Sequence, residues 1–278
     1  VAVKDKACVD YQGFRFDSQS LQQCAWGKPS NAFGADFDIY NDGTRTSRLP
    51  GLPYHFMSRI VELNAEFGNP NTATNGCPSV VVEYDVPENA WYFKDSASKT
   101  IPYCVLMEIA LQPCGWLASF CRDNELYGEE LLFRNLDGLN VIQHMDIPQG
   151  NHTLVTTAKL VSASRAGPVL INRFDVECYA GDSLVYSYQT AFGFFAAESM
   201  AAQKGLAITE LDTRVLKLAA NRVIDLRDYA NKAANTRGPK LATGKLLMLD
   251  RIVALHPKEG EHGKGYIRAE KDVNPADW

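Results

Sequence analysis

The sequence predicts an α+β fold in which a sheet of antiparallel strands wraps one long central helix. Residues 103–121 (YCVLMEIALQPCGWLASFC) are apolar nearly all round, which is typical of a helix buried inside a domain. Four strand candidates follow, at 138–146, 153–164, 168–179 and 182–195, with short turns between the last three. A sheet wrapped around the helix is the simplest arrangement that buries the apolar surface of both.

The region before the central helix predicts less regular structure. Residues 1–50 lack a sustained periodicity and are rich in turn residues, so we expect an irregular lead-in with a short helix near 17–26. The apolar, β-branched stretch at 55–67 predicts a strand, 68–79 a loop, and 80–86 a second strand.

An internal repeat divides the chain. The segment MSRIVEL (57–63) matches LDRIVAL (249–255), and EYDVPENAW (83–91) matches EKDVNPADW (270–278) in the same order. The repeat indicates one complete unit and the opening of another. Between them, 208–233 mixes charged and apolar residues, as an amphipathic helix or a docked linker would. The predicted organisation is a lead-in at 1–49, a domain at 50–200, an interdomain linker with a helical segment at 201–244, and a truncated second unit at 245–278.

Composition and charge exclude several classes of protein. With 46% apolar residues and a net charge of −5, the chain has the make-up of a globular protein and not of a nucleic-acid binder. Seven cysteines without a CxxC motif favour a reducing compartment over a disulfide framework. The longest apolar stretch is interrupted by Glu108, Gln112 and Pro113, so we expect no membrane span, and no signal pattern opens the chain. These features predict a cytoplasmic location.

The central helix carries the polar residues that are most informative about chemistry. Cys104, Glu108 and Gln112 are four residues apart and share one helical face. Burial of Glu108 would raise its pKa, and a carboxyl that stays protonated can act as a general acid. A structural hydrogen bond or a solvent-facing carboxylate explains Glu108 equally well. The backbone N–H groups at Tyr103 and Cys104, where the helix begins, can bind an oxygen that gains charge.

Other catalytic signatures are absent from the sequence. None of the five histidines has metal-ligand spacing, and no cysteine has an adjacent activating base. The motifs GxSxG, GxGxxG and GxxxxGK[ST] do not occur, so triad hydrolases and nucleotide-binding proteins are not favoured.

Three segments carry a family resemblance: LPGLPYHFMSRIVEL, VEYDVPENAWYF and, most specifically, IPYCVLMEIALQPCGWLASF. They resemble the hotdog-fold 3-hydroxyacyl-ACP dehydratases of the β-hydroxydecanoyl-ACP dehydratase type. The match is closest to the dehydratase region of polyunsaturated fatty acid synthases. The resemblance implies a strongly curved antiparallel sheet around the central helix. It also implies a neighbouring hotdog unit, in a double hotdog or a homodimer, with active sites between the two units.

The resemblance also implies roles for individual residues. Glu108 takes the position of the helical acid, and Gln112 that of the polar residue that supports it. The backbone N–H near Tyr103 or Cys104 takes the position of the group that polarises the thioester carbonyl. The implied substrate is a 3-hydroxyacyl group carried on the phosphopantetheine of an acyl carrier protein. The implied reaction removes water and requires no metal or redox cofactor.

The chain departs from the family pattern at two positions. The family histidine should follow the run Trp91-Tyr92-Phe93, but KDSASK stands there instead. Tyr103 replaces the usual small residue where the helix begins, which is expected to narrow the acyl channel.

Three functions therefore remain open. The chain is a dehydratase half-site that supplies Glu108, a non-catalytic pseudo-dehydratase that serves dimerisation or carrier docking, or, less favoured, a hotdog thioesterase. Because the histidine is missing, the isolated chain is expected to be inactive under either of the first two.

Overall fold

The computed structural model describes residues 7–43, 46–71, 73–122, 131–167, 169–233 and 240–275. It divides the chain into two compact units, one formed by 1–88 with 103–203 and the other by 89–102 with 204–278. The four segment boundaries predicted from the sequence stay a prediction.

The helices are α1 (Ser18–Trp26), α2 (Pro29–Phe33), α3 (Trp91–Ser96), α4 (Tyr103–Phe120), α5 (Ala197–Ala201), α6 (Glu210–Leu216) and α7 (Leu226–Ala233). The strands are β1 (Asp10–Tyr11), β2 (Phe14–Arg15), β3 (Arg59–Asn64), β4 (Ser79–Val86), β5 (Leu131–Gln143), β6 (His152–Ala166), β7 (Val169–Ala180), β8 (Ser183–Ala196), β9 (Ile224–Asp225), β10 (Arg251–His256) and β11 (Tyr266–Glu270).

The first unit is built on a six-stranded antiparallel sheet in the order β3-β4-β6-β7-β8-β5. Strand β4 shows why the sheet has one buried face, because every second residue is buried: Val80, Val82, Tyr84 and Val86. Helix α4 packs on β4, β6, β7 and β8. The predicted α+β architecture and the β6–β7–β8 meander are confirmed.

Strand β5 differs from its prediction. It begins at Leu131 instead of residue 138, and ends at Gln143. The polar run Arg134, Asn135 and Asp137 hid the start of the strand in the sequence. Because β5 is an edge strand with mostly exposed side chains, its polar residues remain in water.

The lead-in packs on the C-terminal half of α4. The predicted short helix is confirmed as α1, whose Asp17 N-cap accepts hydrogen bonds from two backbone N–H groups of the first turn. Phe16 meets Trp116 and Phe120 edge-on, at ring-centroid distances of 5.0 and 6.0 Å. These aromatic contacts make the lead-in part of the first core.

The same lead-in covers the β3 edge of the sheet. The Val9 N–H donates to the Ile60 carbonyl at 2.8 Å, and the Ile60 N–H donates to the Phe16 carbonyl at 3.0 Å. Within the part of the chain that the structure describes, β5 is therefore the open edge of this sheet.

The second unit contains the predicted repeat as a hairpin of β10 and β11. Its register reproduces that of β3 and β4, because Arg251 pairs with Glu270 as Arg59 pairs with Glu83. Both ladders also shift register just after the isoleucine that follows the arginine. The repeat is therefore confirmed in backbone pairing as well as in sequence. Its final match, at Trp278, lies outside the described residues.

The segment 208–233 forms two short helices, α6 and α7, with β9 before the second. Thr209 caps α6 in a reciprocal capping box with Asp212. Residues 234–239, in the stretch predicted as a boundary, lie outside the described residues. No helix in the described ranges is both long and apolar enough to cross a membrane.

Candidate active site

Gln112 fixes the central helix to the segment that precedes β3. Its Nε2 donates to the Tyr54 carbonyl at 2.8 Å, and its Oε1 accepts the Phe56 N–H at 2.8 Å. The side chain therefore binds the two backbone groups that flank His55, much as a neighbouring strand would. With only 2% of its surface exposed, Gln112 would be costly to leave unpaired, so these bonds hold residues 54–56 on α4.

Glu108 lies one helical turn before Gln112 and is half-buried. The same Nε2 of Gln112 is 3.4 Å from Glu108 Oε2. Burial raises the pKa of the Glu108 carboxyl, and the hydrogen bond from Gln112 opposes part of that rise. The environment of the helix therefore favours the protonated acid, which is the form that can donate a proton.

Two tyrosines from other elements flank this carboxyl. Burial and the nearby acidic groups of Glu108 and Cys104 raise the pKa of Tyr54 to about 12. Burial, followed by the influence of Cys114, Tyr186 and Glu108, raises the pKa of Tyr188 well above its usual value. Both phenols therefore remain protonated near neutral pH and can donate hydrogen bonds.

The sequence analysis did not identify these tyrosines as site residues. Tyr54 stands inside the quoted segment LPGLPYHF, but 58 residues separate it from Gln112. No local spacing rule connects positions so far apart. The available signal was its place two residues before the apolar Phe56, since alternate residues of an extended segment share a face.

Tyr103 and Cys104 occupy the first turn of α4. The Tyr103 hydroxyl is 3.2 Å from that of Tyr186 on β8, and their rings meet edge-on at 5.9 Å. Tyr103 is 48% exposed and Cys104 is also exposed, so the start of the helix is open to solvent on this side. The structure thus places Cys104, Glu108 and Gln112 along one helical face, as predicted, with Tyr103 beside them against β8.

No histidine is hydrogen-bonded to Glu108 in the described residues. His55 is the nearest in sequence to the clamped segment. Its Nδ1 is 3.2 Å from the Pro50 carbonyl, and its buried Nε2 has no hydrogen-bond partner. Burial lowers the pKa of His55, so the ring is neutral near pH 7. Just beyond the end of β5, His144 instead contacts Ser187.

The position expected for the family histidine has a different role in the structure. The run Trp91-Tyr92-Phe93 begins α3, which belongs to the second unit. Asp95 in that helix accepts the Lys245 N–H on its carboxylate at 2.9 Å and the Thr243 N–H on its carbonyl at 2.6 Å. This stretch therefore holds the start of the second repeat.

Metal-ligating side chains are not clustered within the described ranges, where no group of three or more His, Cys, Asp or Glu residues is arranged around a common point. The sequence-based expectation that no metal or redox cofactor is needed stays a prediction.

Comparison with known proteins agrees with the resemblance seen in the sequence. The FabA-like domain family matches residues 241–278. A polyunsaturated fatty acid synthase polypeptide of Thraustochytrium sp. (strain ATCC 26185 / S-3) is 30% identical over 275 residues, which cover 91% of this chain and 18% of that protein. The chain thus spans less than a fifth of this relative. These matches confirm the resemblance to hotdog dehydratases and to a polyunsaturated fatty acid synthase.

Two solved structures also match part of the chain. One is the dehydratase heterocomplex ApeI:P from Xenorhabdus doucetiae, with 12% identity, a TM-score of 0.41, and coverage of 55% of this chain and 90% of that one. Another is a thioesterase from Haemophilus influenzae, with 12% identity, a TM-score of 0.34, and coverage of 45% and 76%.

Proposed function

We propose that this chain is part of the dehydratase region of a polyunsaturated fatty acid synthase, in which Glu108 supplies the acid of a shared active site. The observation that carries the proposal is a half-buried carboxyl on an otherwise apolar helix, with its pKa raised by burial. Such a group is costly to keep ionised and suited to proton donation. The similarity to a synthase polypeptide supports the assignment.

The proposed reaction converts 3-hydroxyacyl-ACP to trans-2-enoyl-ACP. A histidine of the neighbouring hotdog unit removes the C2 proton, and the electron pair of that C–H bond forms the C2–C3 double bond. Glu108 protonates the 3-hydroxyl group, and the C3–O bond breaks to release water. The thioester carbonyl gains negative charge, which backbone N–H groups near Tyr103 and Cys104 stabilise.

Gln112 supports the acid in two ways. Its Nε2 faces Glu108 Oε2, which orients the carboxyl, and its bonds to Tyr54 and Phe56 close one side of the site. In this account Gln112 is a positioning residue, and Glu108 is the catalytic one.

The neighbouring hotdog unit is proposed to pair at β5, in a double hotdog or a homodimer. The lead-in covers β3, whereas β5 presents backbone groups together with the half-exposed side chains of Leu139 and Ile142. The substrate arrives on the phosphopantetheine of an acyl carrier protein, without a metal or redox cofactor. A cytoplasmic location belongs to the same proposal.

A pseudo-dehydratase is the second candidate function. It is favoured by one observation: α3, at the position expected for the histidine, holds the second repeat through Asp95. In that case the first unit serves dimerisation or carrier docking and Glu108 is only structural. A hotdog thioesterase is the third and weakest candidate.

Hydration of a trans-2-enoyl pantetheine thioester, followed by the loss of enoyl absorbance, tests the proposal. The assay compares this chain with a longer polypeptide in which β10 and β11 are continued by the next hotdog unit of a synthase. We expect hydration only by the longer polypeptide, because the histidine comes from the neighbour. Equal inactivity of both would favour the pseudo-dehydratase, and thioester hydrolysis by the short chain would favour the thioesterase.

A further inference from the structure

A second proton-bearing side chain faces the Glu108 site from outside the helix. Tyr54 is half-buried, and its carbonyl is held by Gln112 at 2.8 Å. The Gln112 nitrogen that makes this bond is also the one 3.4 Å from Glu108 Oε2. One amide group therefore fixes both the backbone of Tyr54 and the carboxyl of the acid.

The ring of Tyr54 is also held in place. It meets the Phe56 ring edge-on at a centroid distance of 4.9 Å, and Phe56 is 1% exposed. Because the Phe56 N–H is bonded to Gln112, both residues beside the ring are fixed to α4. The Tyr54 hydroxyl is electrostatically coupled to Glu108 and to Cys104, which are one helical turn apart.

Tyr188 is a poorer candidate for ligand contact. It is 5% exposed, and its hydroxyl is 3.9 Å from Cys114 Sγ, deeper along α4 than Glu108. Tyr188 therefore belongs to the wall of the site. Tyr54 keeps part of its surface open, beside the exposed start of the helix.

We propose that the Tyr54 hydroxyl donates a hydrogen bond to the thioester carbonyl oxygen of the bound acyl group. This inference rests on the proposed function. Glu108 is assigned to the 3-hydroxyl oxygen and the start of α4 to the carbonyl, and Tyr54 lies between the residues at those two positions. A neutral phenol there stabilises the charge that develops on the carbonyl and adds no charge of its own.

The test uses two pantetheine ligands that cannot react and differ in one group. The first is a 3-hydroxybutyryl amide analogue, which keeps the carbonyl and replaces the thioester sulfur by NH. The second is the matching 3-hydroxybutyl thioether, which lacks the carbonyl. Calorimetry measures the affinity of each ligand for the full chain, for Tyr54→Phe, and for Tyr179→Phe as the matched control. Tyr179 is a β7 tyrosine bonded to Glu177, so this control removes a hydroxyl elsewhere in the first unit.

We expect Tyr54→Phe to weaken binding of the amide roughly five-fold and to leave thioether binding unchanged, since one net hydrogen bond is lost. Tyr179→Phe should alter neither affinity. A merely structural role for Tyr54 would weaken both ligands equally, and that result would overturn the inference.

The other outcomes separate the inference from the function on which it rests. Unchanged amide binding by Tyr54→Phe, with wild-type binding intact, would refute the role of Tyr54 and leave the proposed function standing. Failure of the wild-type chain to bind either ligand would overturn both. Thermal unfolding of each variant shows whether the protein is folded, and Tyr54→Phe preserves the ring that packs on Phe56.

Discussion

The two copies of the repeated hairpin share their local geometry and differ in what covers them. In the first copy Arg59 bonds to Glu83 and Asp85 at 2.7 Å each. Arg251 makes the corresponding pair of bonds in the second copy, at 3.1 and 2.6 Å. The Arg59 side chain is 8% exposed, whereas that of Arg251 is 33% exposed. An identical ion cluster thus occurs in a buried and in a largely solvated setting.

The apolar positions show the same contrast more strongly. Phe56 is 1% exposed, and its counterpart Met248 is 61% exposed. Val86 is 3% exposed, and its counterpart Val273 is 91% exposed. The hairpin therefore forms from local pairing and its ion cluster alone, but only the first copy gains the free energy of burying its apolar face, on α4.

Truncation of the apolar position provides the largest expected difference between the copies. We expect Phe56→Ala to reduce the free energy of unfolding by about 3–5 kcal/mol, because it leaves a cavity beside α4. Met248→Ala should change it by less than about 0.5 kcal/mol, since that side chain is mostly in water. Denaturant unfolding measures both. Similar losses for the two variants would mean that the second hairpin is also buried in solution.

Removal of each arginine is the next comparison. Arg59→Ala leaves two carboxylates together with little solvent, so we expect a loss of roughly 3 kcal/mol, the lower end for a broken buried pair. Arg251→Ala should have a clearly smaller effect, because solvent screens its partners. Hydrogen exchange of β3–β4 and of β10–β11 reads the two sites separately. Faster exchange in β10–β11 than in β3–β4 after the paired substitutions would reverse the predicted order.

The raised pKa of Glu108 predicts a pH effect that the second hairpin cannot show. Stability from this group is fully present below its unfolded-state pKa, near 4.5, and is lost as the pH rises through the higher folded-state pKa. Glu108→Gln, which stays neutral, should therefore gain stability relative to wild type between pH 4 and pH 8. Thermal unfolding at the two pH values tests this, and a constant difference would show an ordinary surface carboxylate.

His55 gives the smallest expected effect, with the opposite sign. Its counterpart two residues upstream of Leu249 is Leu247. Because the folded-state pKa of His55 is lowered by burial, its contribution is present above about pH 6.5 and is lost as the pH falls below that value. His55→Leu should therefore reduce the loss of stability between pH 7.5 and pH 5. An unchanged pH profile would mean that the ring protonates freely in the folded chain.

The sequence predicted those features that depend on local periodicity. Apolar residues all round 103–121 indicated α4, alternation indicated β4, and the repeat predicted a second hairpin before its register was seen. The contacts of Gln112 with residues 54 and 56 could not be predicted in this way, because they join positions 56 and 58 residues apart. The assignment of α3 to the second unit likewise depends on Asp95 meeting residues about 150 positions later.

The most direct test of the proposed role of Glu108 is the rate of trans-2-enoyl thioester hydration by the longer polypeptide, measured with and without Glu108→Gln. The acid role predicts a fall of at least 100-fold in kcat, because the amide cannot donate the proton and general acid catalysis is typically worth 100- to 10,000-fold. A variant that hydrates the substrate at the wild-type rate would contradict the account and make the first unit a structural one.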